Sequence, residues 1–271
     1  MKIALTYFSP TGNTAKIAEV IKLELTKLNA IVEEFDITEY SKRQTNINYA
    51  VYDGIIFGFP IYAWRAPKPA RDWLETLDGI GKKCSVFFTY GGVTTGIASS
   101  NIQEILTNRH FNIVSTAEFV AKHTYNLGGW KLMENRPNKE DFDIAKEYVE
   151  RTFIRFCEKD VMTPVFEKRT ITLEQLEKIE LMVKTAIKSP SRGGSVCSLC
   201  RICEDVCPTR AMNADAGEAN SDLCLRCFRC FVKCPENVLK IGDLYPIFLL
   251  LRKVEKLTDE VLLRKKSKIF L

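Results

Sequence analysis

The first 160 residues alternate short apolar runs with longer stretches of helical spacing. KIALTYF (2–8) is an apolar run that ends in the turn SPTGN, and TAKIAEVIKLELTKL (14–28) follows with its apolar residues three and four apart. IVEEFDI (31–37) reads as a second strand, and DGIIFGF (53–59) as a buried third closed by Pro60. KPARDWLETL (68–77) is helical, CSVFFTY (84–90) is strand-like and stops at Gly91 and Gly92, and IASSNIQEIL (97–106) is helical again. FNIVSTAEFV (111–120) gives a fifth strand and DFDIAKEYVERTFIRFC (141–157) a last helix. Five strands joined by helices predict an α/β domain over 1–160, with a doubly wound parallel sheet and right-handed crossovers.

The pattern then changes. Residues 161–195 form a connector that Pro164 punctuates, with an amphipathic helix at 172–187 and a flexible exit, SPSRGGS, at 189–195. Residues 196–243 are rich in cysteine and form a unit of their own. Residues 244–271 predict a basic amphipathic helix with Ile247, Leu250, Leu251, Val254, Leu257 and Val261 on one face. Packing of that stripe onto the rest of the chain is the expectation. Contact with an anionic membrane surface or an acidic redox partner is the alternative.

At 271 residues, 46% hydrophobic and 27% charged, the chain has room for two domains with a proper core. The net charge of +5 is unevenly spread. Residues 1–163 carry 20 basic and 20 acidic side chains, while 246–271 carry seven and three. That distribution gives no support to a nucleic-acid partner. No apolar run approaches the ~20 residues that cross a bilayer. The opening MKIALTYFSPTG is broken by polar residues and a turn before any signal-peptide core develops, so a cytoplasmic location is expected.

Ten cysteines are the compositional anomaly. Cys84 and Cys157 stand apart and read as small core residues. The other eight form one pattern twice: Cys197-x2-Cys200-x2-Cys203-x3-Cys207-Pro208 and Cys224-x2-Cys227-x2-Cys230-x3-Cys234-Pro235. Four thiolates within eleven residues wrap closely enough to hold a cubane. Structural zinc uses more widely separated Cys-x2-Cys knuckles, and disulfides are unstable in a reducing compartment. Two [4Fe–4S] clusters are the expectation. This segment resembles the bacterial two-cluster ferredoxins, which implies a small α+β domain in which the fourth cysteine of each motif ligates the other cluster. The resemblance implies one cluster on Cys197, Cys200, Cys203 and Cys234 and a second on Cys224, Cys227, Cys230 and Cys207. Arg226 and Arg229 lie between ligands of the second motif and Arg201 within the first. They either raise the cluster potentials or point into water.

Ser9-Pro10-Thr11-Gly12-Asn13-Thr14 lies between the first strand and first helix, where hydroxyls and N–H groups can meet an anion. It lacks the lysine of a P-loop and the glycines of a dinucleotide fold, which suits a single terminal phosphate. An ordinary capped helix start is the plainer alternative. The loop and the strands around it resemble flavodoxin, which binds FMN at the switch point of its sheet. By that resemblance the phosphate loop is Ser9, Thr11, Gly12, Asn13 and Thr14. The ring loops are Pro60, Ile61, Tyr62, Ala63 and Trp64, and then Thr89, Tyr90, Gly91 and Gly92. Tyr62, Trp64 and Tyr90 are the candidates to stack on the ring. Arg65, Lys68 and Arg71 replace the acidic residues common near the flavin and predict a flavin that is easier to reduce. His123 could approach the ring edge, but a packed or exposed role is the expectation; His110 closes a helix.

Together the two parts resemble fused flavodoxin–ferredoxin proteins of anaerobes. That implies an electron carrier that passes low-potential electrons between two [4Fe–4S] clusters and non-covalent FMN, with redox proteins as partners. A flavin-dependent reductase fed through the clusters, and a docking module without flavin, are the other readings.

Overall fold

The computed structural model describes residues 1–159, 161–166 and 171–271; the boundary expected at residue 160 falls outside the described residues. The chain begins β1 (Lys2–Tyr7), α1 (Asn13–Lys27), β2 (Ile31–Asp36), β3 (Gly54–Pro60), α2 (Lys68–Leu74), β4 (Lys83–Tyr90), α3 (Ala98–Asn108), β5 (Asn112–Val120) and α4 (Lys139–Cys157). These strands pair in parallel in the order β2-β1-β3-β4-β5. Every residue of β3 is buried because helices cover both faces of the sheet. Successive residues serve opposite cores, as the two-residue period of a strand requires. Ile55, Phe57 and Phe59 pack with Trp73, Leu74 and Ile102 on one side. Ile3, Leu5 and Ile56 pack with Ile17, Ile21, Tyr148 and Val149 on the other. Cys84 belongs to the first core, but Cys157, expected in a core, is exposed at the end of α4.

After α5 (Leu173–Ala186), α6 (Ile202–Asp205), β6 (Met212–Asn213), β7 (Glu218–Ala219) and α7 (Arg229–Lys233) come α8 (Tyr245–Val254), α9 (Asp259–Leu263) and β8 (Lys268–Phe270). The last 28 residues are thus two short helices and a strand rather than one amphipathic helix. Lys256 takes a positive φ of 50°, which ends the first helical stretch, and Thr258 caps the next by accepting from Val261 N–H at 3.2 Å. β8 adds antiparallel to β5, so the sheet has six strands rather than five, and the edge left by β5 is covered. Ser267 fixes this return. Its hydroxyl accepts from Val120 N–H at 3.0 Å and donates to the fully buried Asp141, which Arg136 also holds.

The expected stripe of the tail is only partly used. Leu257 is buried, whereas Leu250 and Val254 are 63% and 65% exposed. The face that packs runs through Leu244 and Phe248, with Ile247 and Leu251 of the expected stripe beside them, because Trp130 offers a ring at 5.7 Å from Phe248 and donates Nε1–H to Leu244 O at 2.8 Å. Trp130, Leu132, Ile187, Phe228, Ile241, Leu244 and Phe248 make a third core. It joins the loop after β5, the connector, the cysteine unit and the tail, so the parts are packed together rather than strung on a linker.

Candidate functional site

The C-terminal ends of β1, β3, β4 and β5 open onto one cavity of about 590 Å³. Ser9, Thr11, Asn13, Thr14, Pro60, Ile61, Tyr62, Ala63, Trp64, Thr89, Tyr90 and Gly91 all line it. Gly12 and Gly92 do not. Gly12 instead serves as N-cap of α1 with φ +92°, and Gly92, with φ +83°, backs onto Met133. The first loop is held from inside: Ser9 Oγ accepts from Ala15 N–H at 2.9 Å, and the Thr14 and Thr89 hydroxyls bond at 2.8 Å. The N-terminus of α1 lies at this loop, where a helix favours an anion.

The second loop is a tight turn. Tyr62 and Arg65 exchange backbone hydrogen bonds of 2.9 and 3.2 Å, with Ala63 (φ 47°) and Trp64 (φ 71°) both left-handed between them. Such a turn normally takes Asn-Gly, and a tryptophan there costs strain of about 1–3 kcal/mol, which marks a functional position. Ile97 N–H donates to Trp64 O at 2.9 Å, and Gly96 leaves room for that contact. The three cations of this loop are not free. Arg65, nearly buried, and Arg71 share Glu180 of α5 at 2.7 and 3.2 Å, and Lys68 pairs with Asp72 at 2.7 Å. Two guanidiniums against one carboxylate leave the loop less positive than the sequence suggests.

The loop after β5 completes this wall. His123 is half-buried and stacks on Trp130 with centroids 4.5 Å apart; its Nδ1 accepts from Tyr125 N–H at 3.1 Å. Burial lowers its pKa to about 3, so the ring is neutral at physiological pH. Any side chain at Gly91 would collide with this ring. His110 is exposed and pairs with Asp78 at 3.1 Å.

Residues from beyond the first domain close the cavity: Glu180, Val183 and Lys184 of α5, then Thr209, Asp222, Leu223, Leu225 and Arg226 of the cysteine unit. Sequence reasoning missed these. The loop after β5 could have been found, since ligands in such sheets lie beyond the strand C-termini; for the connector and cysteine unit no local signal exists.

The eight cysteines fall into two groups. Cys197, Cys200, Cys203 and Cys234 surround one small hollow. Cys207, Cys224, Cys227 and Cys230 are buried neighbours of one another. Burial and then the adjacent sulfurs push the thiol of Cys227 up to about 12 and that of Cys230 higher. Among the described residues no three His, Cys, Asp or Glu side chains converge tightly enough for a single ion. The two motifs repeat at a spacing of 27 residues, and the repeat extends to the backbone. Leu199, Arg201 and Arg210 have positive φ, as do Arg226, Phe228 and Asn237 at the matching positions. The Cys227 thiol adjoins Tyr62 and Tyr125, whose hydroxyls are raised far above the phenol range by burial first and this neighbour among the lesser causes. The second group therefore abuts the cavity, while Cys200 of the first is exposed.

Neither arginine of the second motif points into water. Arg226 is 1% exposed and donates to the carbonyls of Lys184, Ile187, Ser221 and Cys224. Arg229 reaches across to the loop before α1. Arg201 is exposed and paired with Glu204 and Asp215 at 3.0 and 2.7 Å.

Residues 4–127 match the family model described as Flavodoxin domain. An uncharacterized protein of Methanocaldococcus jannaschii is 33% identical over 143 residues, 50% of this chain and 87% of that protein. A Nostoc protein that carries the name diflavin flavoprotein A 5 is 33% identical over 94 residues, 34% of this chain and 16% of that much longer protein. Among solved structures, a flavodoxin from the domain Archaea aligns at TM-score 0.43 and 17% identity, covering 57% of this chain and 99% of that one. Oxidised Flavodoxin 2 from Bacillus cereus aligns at TM-score 0.42 and 23% identity, covering 58% and 98%. The chain belongs to the flavodoxin-domain family, with an α/β fold whose sheet is mostly parallel. No helix among the described residues is long and apolar enough to cross a membrane.

Proposed function

We propose that this protein is an iron–sulfur flavoprotein that relays electrons between two [4Fe–4S] clusters and non-covalent FMN. The observation that carries the reading is that one cavity takes its walls from the flavodoxin-like loops on one side and from the second cysteine motif on the other. The residues present fit FMN. A cavity of about 590 Å³ lies within the usual range for a small-molecule site, its walls carry Tyr62, Trp64 and Tyr90, and hydroxyls meet a helix N-terminus at one end. They fit clusters also. A cubane holds its thiolates farther apart than a single ion does, and six matched left-handed residues in two repeats are strain that a wrapped ligand would offset.

When bound, FMN supplies a two-electron store and each cluster a one-electron step. Ser9, Thr11 and Thr14 would hold the phosphate; Tyr62, Trp64 and Tyr90 would flank the ring. Cys207, Cys224, Cys227 and Cys230 would hold the cluster beside the flavin, and Cys197, Cys200, Cys203 and Cys234 the one near the surface, where redox proteins dock. Because α5 and the cysteine unit roof the cavity, its residues exclude water from the ring and favour a carrier over a reductase of large substrates. The test is flavin and iron content after anaerobic reconstitution. About one FMN and about eight irons per chain is the expected result; eight irons without FMN would leave a ferredoxin with a docking domain.

A further inference from the structure

Arg229 stands between Cys227 and Cys230, yet its guanidinium leaves the cysteine unit. Nη1 donates to the carbonyls of Ser9 and Pro10 at 3.3 and 3.2 Å, Nη2 meets Glu39 Oε1 at 3.1 Å, and the side chain is buried. Arg43 crosses the other way. It donates to the carbonyls of Ile37 and Thr38 at 2.7 and 2.8 Å and also to Pro208 O. Arg210 lies over the Tyr40 ring at 4.1 Å. Arg229 thus fastens the loop before α1 to the cysteine unit, Arg43 and Arg210 fasten the segment after β2 to it, and Ser9 N–H, donating to Thr38 Oγ1 at 2.7 Å, joins those two segments. With Pro10 O turned toward Arg229, the planar trans peptide turns Thr11 N–H away from it. Since Glu39 compensates its charge, Arg229 contributes position more than potential.

The cysteine unit has little core of its own. Its buried cluster is Ala211, Met212, Ala219 and Leu239 with Cys207, Cys224 and Cys230. A unit of about 50 residues so built needs its metal to fold. Without iron, Arg229 loses its anchor and the cavity loses the wall made by Thr209, Leu223 and Leu225.

Resting on the reading above, we infer that iron loading sets the affinity of the flavin site, with Arg229 as the positioning residue that carries the coupling. The folded cysteine unit holds Arg229 on Ser9 and Pro10, and the ordered loop then binds the FMN phosphate. Linkage makes the effect reciprocal: bound FMN tightens the equilibrium retention of iron by the same factor.

The experiment titrates FMN by fluorescence quenching into the full-length chain, iron-free and reconstituted, with far-UV circular dichroism reporting the sheet. Iron-loaded protein binds FMN about tenfold more tightly or better, within the ordinary range of such couplings. In Arg229→Gln the ratio between the two states falls toward one, and in Glu39→Gln, which keeps the guanidinium but removes its partner, it falls part of the way. A residue that merely stabilised the fold would weaken binding in both states and leave the ratio. The equilibrium partition of iron between the protein and a competing chelator, with and without FMN, reads the same coupling from the loaded side. Equal FMN affinity with and without iron, or a wild-type ratio in folded Arg229→Gln, overturns the inference. Absence of FMN binding in both states, or of iron uptake, would sink the proposed function instead.

Discussion

The sheet and the cysteine unit reach order by different means. The sheet half buries Phe57, Phe59, Phe87, Phe88 and Phe119 completely and continues through two cores. The cysteine unit packs a few small apolar residues among thiols and concentrates between Leu199 and Asn237 as many left-handed non-glycine residues, six, as the sheet half spreads from Asn29 to Met133. Each of those six costs about 1–3 kcal/mol, which only surrounding interactions can offset. A region that stores strain and lacks a core draws its stability from what it binds, whereas a region with two packed cores can wait for its ligand.

On the proposed reading, in which the cysteine unit holds iron, stripping the metal tests this contrast most severely. The expected outcome is loss of structure across the cysteine unit with the sheet retained. In hydrogen exchange, amides of 197–240 become unprotected while those of β3 and β4 stay slow. Unchanged protection over 197–240 after complete iron removal would break the comparison.

The converse is Phe57→Ala. Phe57 is fully buried, stacks on Phe59 at 6.3 Å and meets Tyr49, Trp73 and Phe111 edge-on at 5.8, 6.3 and 5.6 Å. Truncation of such a ring costs about 3–5 kcal/mol, read as a lowered denaturant midpoint of the sheet transition. Iron bound per folded chain should not change. A loss under about 1 kcal/mol would mean that the sheet also leans on the cysteine unit.

Acid probes the seam between the halves. His123 has its folded pKa lowered from 6.5 to about 3 by burial, so the unfolded chain takes up the proton first. Stability is therefore full above about pH 6.5 and is lost as pH falls from there toward 3; at pH 5 the loss is about 2 kcal/mol. His123→Phe, which keeps a ring for Trp130, should flatten that slope between pH 7 and 5. A slope equal to wild type would assign the acid sensitivity elsewhere.

Much of this was legible in the sequence, for reasons that differ by region. Apolar runs such as GIIFGFP announce β3 because a strand covered on both faces needs no polar residues. The cavity loops were legible because they follow those strands directly. What failed depended on contacts distant in sequence. Nothing near Lys268 says that KIF will pair with β5, and nothing near Arg65 discloses Glu180 of α5, 115 residues away. The tail's helical spacing suggested one face, of which Ile247, Leu251 and Leu257 pack, while Trp130 brings Leu244 and Phe248 to its centre. For Arg226 and Arg229 the sequence leaves a place beside a cluster and a place in water equally open, because no short-range pattern marks a buried guanidinium whose partners are carbonyls.

The smallest effect comes from that last pairing, and it separates position from charge at the cavity. Glu180 is the carboxylate shared by Arg65 and Arg71 and is itself partly exposed, so Glu180→Gln should cost about 1 kcal/mol or less after solvent screening. Two consequences follow. α5 loses its ionic tie to the ring loop, so proteolysis within 172–187 becomes faster. Two guanidiniums are left without their counter-charge beside the ring, so bound FMN becomes easier to reduce in an anaerobic titration. If proteolysis quickens while the flavin potential stays fixed, Glu180 acts only as a tether. If the potential rises while α5 keeps its protection, the charge balance of the ring loop is what the connector helix supplies, and the roof over the cavity is held by the cysteine unit instead.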